Sequence, residues 1–142
     1  MNADGGSRAL FRDNSYYTEA CSKFVLVWQD LRQLWRVDSD GTHLTLLPTG
    51  DRESDPVCSA KDDFAFYVSA ESPERIFRIP MSGGTPVEIA RTLGDGLSSP
   101  LAVSRDGELL AYAFWKGAPQ PGVSFATLRA KDGSQVALIH AT

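Results

Sequence analysis

Imidazole and thiol groups build many catalytic and metal sites, and this chain is sparing with both: it has only His43, His140, Cys21 and Cys58. No GxSxG nucleophile elbow is present, and both histidines flank segments that read as outer strands, so a serine hydrolase is not expected. HExxH and the phosphate-cradling GxxxxGK[ST] loop are absent. Gly94-Asp95-Gly96 stops short of a dinucleotide fingerprint. Cys21 and Cys58 lie in neither a CxxC nor a Cys/His cluster with metal spacing. The expectation is a chain that is not an enzyme, with no resident cofactor and no metal.

Carboxylates are more plentiful. Asp38-Ser39-Asp40-Gly41 suggests a hard-cation loop, but it lacks a third carboxylate and the later bidentate Glu that calcium would require. Its motif recurs as Ala3-Asp4-Gly5 and Lys131-Asp132-Gly133. That recurrence fits a tight turn in which Asp bonds its own backbone and Gly accepts positive φ.

Composition narrows the classes. Hydrophobic residues make 42% of the 142 residues and charged residues 23%, values that exclude wholesale disorder. A net charge of -4 would repel phosphates, so nucleic acid is not an expected partner. No apolar run approaches the roughly 20 residues of a membrane span, and Met1-Asn2-Ala3-Asp4-Gly5-Gly6 is too polar to open a secretory signal. No membrane association, leader or anchor is expected.

The elements that must carry these residues are short strands. Lys23 to Trp28, Asp63 to Ser69 and Leu109 to Phe114 are β-branched and aromatic, and too short and continuous for amphipathic helices. They recur in a fixed order. Leu34-Trp35-Arg36-Val37, Ile76-Phe77-Arg78-Ile79 and Phe125-Ala126-Thr127-Leu128 each run into a glycine turn, at Gly41, Gly83 and Gly133, and then an alternating segment. Upstream of them stand Ala20-Cys21-Ser22, Val57-Cys58-Ser59 and Ala102-Val103-Ser104, so each unit has four strands. Residues 1–10 lie over Val37 to Leu46 as the tail of a fourth unit. The turn glycines step by 36, 42 and 50 residues from Gly5, bracketing the roughly 40 to 50 of a propeller blade. The longest step holds the Pro/Gly insertion Lys116 to Gly122.

These units resemble the TolB-type β-propeller repeats of bacterial proteins, related to the tryptophan-aspartate repeats. Leu101-Ala102-Val103-Ser104-Arg105-Asp106-Gly107 with Ala111-Tyr112 matches the front of that repeat, and Leu34 to Gly41 the back. Two units depart from it: Ser59-Ala60-Lys61-Asp62 replaces the expected Ser-Pro-Asp-Gly, and Ser22 runs straight into Lys23-Phe24 with about three turn residues missing. That deletion puts the first inner hairpin in doubt. The expected architecture is all-β and a single propeller-type domain over 1–142. It comprises an outer strand at 1–12 and three four-stranded blades at 13–49, 50–92 and 93–142.

Three blades cannot close a ring, so the expected partners are further blades or a second copy completing a six-bladed ring. The resemblance implies a noncatalytic module that binds a protein or small ligand. The alternatives are an accessory portion of a larger hydrolase or kinase, and an assembly protein built for dimerisation. It also implies a periplasmic or other extracytoplasmic location. Loops leading into the innermost strands would sit near one mouth of the central channel, making Asp51, Glu53, Asp55 and Asp95 candidate binding residues. Trp115 joins them beside the insertion. Cys21 and Cys58 read as equivalent inner-strand positions on neighbouring blades, beyond the roughly 7 Å Cα limit of a disulfide, and are expected as free thiols. Arg36 and Arg78, repeated at one strand position, are expected to form ion pairs between blades.

Overall fold

The computed structural model describes residues 16–29, 33–49, 53–59, 61–69, 74–93, 96–97, 101–116 and 122–140, and every regular element among them is a strand. The outer strand expected at 1–12 lies outside them. The first blade is β1 (Tyr16–Ala20), β2 (Phe24–Gln29), β3 (Leu34–Asp38) and β4 (Thr45–Leu47), paired antiparallel in chain order. The second is β5 (Glu53–Cys58), β6 (Phe64–Ser69), β7 (Arg75–Pro80) and β8 (Val87–Arg91). The third holds β9 (Gly96–Leu97), β10 (Ala102–Val103), β11 (Leu109–Lys116), β12 (Gly122–Arg129) and β13 (Gln135–His140).

The fifth strand of the third blade is only apparent. β10 pairs with the start of β11 and β9 with its end, so together they replace one innermost strand. β5 plays the same part unbroken, with a register shift between Ser54 and Val57. Pro56 lies within that shift, where the ladder needs no donor from it.

Side chains alternate across each strand, and the blades use both faces. On β6, Ala65 and Tyr67 turn toward the first blade, joining Leu26, Leu34 and Leu47, with Ile79 and Met81 from their own blade. Phe66 and Val68 turn the other way, against Leu101, Leu110, Tyr112, Phe114, Ala126 and Leu128 of the third blade. The second blade is therefore covered on both sides. Burial pushes the Tyr112 phenol above its ordinary pKa, opposed by a hydrogen bond that its oxygen accepts from Leu93 N–H at 3.3 Å.

The outward faces of the row differ from this. On the third blade Ala113, Phe125 and Ile139 stand side by side across three strands. Phe125 is 46% exposed, Ile139 59% and Trp115, on the same face, 53%. On the first blade, Val27, Trp35 and Leu46 form the matching cross-strand row, with Leu46 exposed.

Candidate functional site

The tight turns that close the inner hairpins decide which way the groups beside them face. In the third blade Ser104 N–H donates to Leu109 O, Leu109 N–H donates to Ser104 Oγ at 3.0 Å, and Gly107 takes φ 77°. The second blade repeats each feature: Ser59 N–H to Phe64 O, Phe64 N–H to Ser59 Oγ at 3.0 Å, and the glycine position filled by Asp62 at φ 58°. In the first blade Cys21 N–H donates to Phe24 O across a two-residue turn, Ser22-Lys23. The first inner hairpin therefore exists, and Cys21 holds the place of Ser59, not of Cys58.

That one-residue offset overturns the expectation of free thiols. Cys21 and Cys58 form a disulfide with a Cα separation of 5.8 Å. Equivalent positions point the same way around a row of blades. Positions one residue apart point opposite ways, so Cys21 faces the second blade while Cys58 faces the first. The short first turn, two residues against four in the second blade, produces the facing pair.

Asp62 completes the arrangement. It is 5% exposed, and its carboxylate accepts a hydrogen bond from Lys23 N–H of the first blade at 2.5 Å. One ligand atom from each of Cys21, Cys58 and Asp62 lies within 4.8 Å of the others. Beside them opens a cavity of about 420 Å³, where the carboxyl ends of all three innermost strands converge: Glu19 of β1 and Cys21 just past it, Cys58 at the end of β5, and Ala102 and Val103 of β10. A second cavity, about 390 Å³, lies between the second and third blades among Lys61, Asp63, Arg78, Asp106, Glu108 and Arg129. Its mixed charges suit a ligand bearing both signs.

Five residues are selected from the sequence as binding candidates: Asp51, Glu53, Asp55, Asp95 and Trp115. Asp51 and Asp95 lie outside the described residues. Glu53 and Asp55 belong to β5, Glu53 opposite Ser69. Trp115 lies one residue before the end of β11, opposite Val123 and Gly96, at the end of its blade where the innermost strand enters. Among the described side chains, Trp115 lines neither cavity. Asp62 and Glu19 were missed. The one signal available was Asp62 itself, an acid where the repeat expects glycine.

Other expected features settle into structural roles. Asp40 caps its turn by accepting from Thr42 N–H at 2.9 Å and Thr42 Oγ1–H at 2.6 Å, with Gly41 at φ 86°. Asp132 does the same with Ser134, and Asp106 with Ser104 and Glu108. These bonds, the neighbouring hydroxyl's first, hold all three carboxyls below the ordinary carboxylate pKa.

Arg36 and Arg78 form no ion pair among the described residues and lie over the rings of Phe24 and Phe64, each 4.7 Å from the centroid. Arg78 also donates to Lys131 O of the third blade at 3.1 Å. Ser124 Oγ lies 2.8 Å from His140 Nδ1, but the serine is 3% exposed and the pair joins adjacent strands as a cross-strand contact.

Comparison with known proteins rests on this geometry. No family model and no curated protein matches the chain. Among solved structures, TolB from Acinetobacter baumannii matches 89% of the chain with a TM-score of 0.69 at 14% identity. The chain has the TolB-type propeller fold. The same fold relates it to the β-propeller domain of the Trilobed protease from Pyrococcus furiosus, over 91% of the chain with a TM-score of 0.68 at 8% identity. The tricorn protease matches 89% of it with a TM-score of 0.65 at 13% identity. This TolB-type row of blades spans 32% of the first of those chains, 44% of the second and 13% of the third.

Proposed function

We propose that the chain is a noncatalytic propeller module whose outward faces are covered by further blades, supplied by a second copy when the chain stands alone. Its ligand, a protein segment or small molecule, enters where the carboxyl ends of the innermost strands converge. The observation that carries this reading is the contrast between the second blade, covered on both sides, and the third, which presents Trp115, Phe125 and Ile139 outward. Covering about 800 Å² of apolar surface is worth on the order of 20 kcal/mol at about 25 cal/mol per Å², before association costs are subtracted. The disulfide adds support for an oxidising, extracytoplasmic compartment. The peptidases among the structural neighbours favour a second reading, an accessory portion of a larger enzyme.

Light scattering at several concentrations tests the self-association. A chain of 15.5 kDa should run at twice that mass and become a folded monomer in Phe125→Lys. A stable wild-type monomer at every concentration would overturn it.

A further inference from the structure

We propose that the reduced form of this protein binds a divalent zinc ion through Cys21, Cys58 and Asp62. The three donors already face one another within 4.8 Å. Tetrahedral zinc, with Zn–S near 2.3 Å and Zn–O near 2.0–2.2 Å, sets two sulfurs about 3.8 Å apart, so reduction must let the bonded sulfurs part, while the Asp62 carboxylate already lies within reach of both. Two thiolates and a carboxylate supply three protein ligands, and the adjoining cavity of about 420 Å³ gives an entry path and room for a water as the fourth.

Asp62 is the second observation pointing to a ligand. The turn itself needs no carboxylate, since the equivalent position in the third blade is Gly107. Asp62 is nevertheless held in the left-handed region, nine-tenths buried, beside both sulfurs. Its bond from Lys23 N–H uses one oxygen and leaves acceptor capacity for a metal. Glu19, at the rim of the same cavity, adds negative potential that favours a cation.

Two steps are required. A small-molecule thiol reduces the bond: two equivalents become one small-molecule disulfide, and their electrons and protons leave Cys21 and Cys58 as thiols. Zinc then displaces both thiol protons to solvent as the two Zn–S bonds form. The cysteines are half-buried beside the cavity, so reductant and metal can reach them.

The test uses the whole chain, reduced and then freed of reductant without air. Added Co²⁺ should give the thiolate-to-metal charge-transfer and tetrahedral ligand-field bands of a two-thiolate site. Zn²⁺ should bleach them at one equivalent and slow alkylation of both cysteines. Asp62→Asn should weaken Zn²⁺ binding by at least about 10-fold, the lower end of the loss seen when even outer-shell partners are removed. Cys58→Ser, which leaves one thiolate, should cut the charge-transfer band by at least half. Wild-type protein that shows neither the cobalt bands nor zinc protection of its thiols overturns the site, as does unchanged affinity in Asp62→Asn. The alkylation measurement is made on wild type and stands even where a variant does not fold.

Discussion

The contact between the first and second blades and the contact between the second and third use one architecture and different fasteners. The first is pinned close to the axis, by the Cys21–Cys58 bond and by Asp62 reaching Lys23 N–H. The second has no covalent link; it relies on the larger apolar cluster around Phe66, Leu110 and Tyr112. Its polar fasteners lie at the periphery, where Arg78 meets Lys131 O and the Gly133 turn presses on β8. Blades with weakly similar sequences can thus keep one packing geometry while locking it at opposite ends. The lock near the axis depends on redox state, and the peripheral one on steric fit.

The largest expected effect separates the two contacts. The bond joins residues 37 apart in sequence, so its loss releases a loop worth about 4 kcal/mol on the chain-entropy scale. Reduction, or Cys58→Ser, should lower Tm on the order of 10 °C for a domain of this size. Hydrogen exchange should quicken in β1 and β2 while β11 and β12 stay protected. Equal loosening of all three blades would show that the bond does not act locally.

Gly133→Ala probes the other contact. A Cβ there would sit 1.8 Å from Ile89 O, at φ 71°, and should cost about 3 kcal/mol from overpacking and left-handed strain together. Gly83→Ala, at φ 88° with open space around it, carries the strain alone, about 1 kcal/mol. Urea titration of the two variants checks the difference, and equal costs would remove the steric lock.

Asp62→Ala should cost about 1–2 kcal/mol through the lost bond to Lys23 N–H. Asp62→Gly should cost less, because glycine relieves the positive φ. Thermal melts of the two variants decide this, and an equal or larger cost for glycine would remove the strain argument.

The smallest effect is acid sensitivity. Asp40, Asp106 and Asp132 are held below the ordinary carboxylate pKa in the fold. The stability they add is therefore present above that ordinary value and lost as pH falls through their folded pKa. Melts should be level near neutrality and decline below about pH 4. Replacing Asp106 and Asp132 with asparagine should flatten the decline.

Much of the fold was legible because its turns demand particular residues. Gly41, Gly83 and Gly133 take positive φ where the repeat placed them. The Ser104 turn closes as its Ser-Arg-Asp-Gly sequence implies. The disulfide was not legible, since aligning Ser22 with Ser59 made Cys21 match Cys58. The strand register and the hydrogen bond from Cys21 N–H to Phe24 O reveal the one-residue offset that turns the sulfurs toward each other. The cavity beside them was hidden for a related reason: its walls come from three separate innermost strands, and no single stretch of sequence carries its outline.

The most direct test of the packing is a non-reducing tryptic digest of protein refolded in air, read by mass spectrometry. The segment Asp13–Lys23 should appear joined to Glu53–Lys61 through Cys21 and Cys58 within one chain. Recovery of both segments as free thiols, or joined only between chains, would contradict the facing arrangement of the first two blades.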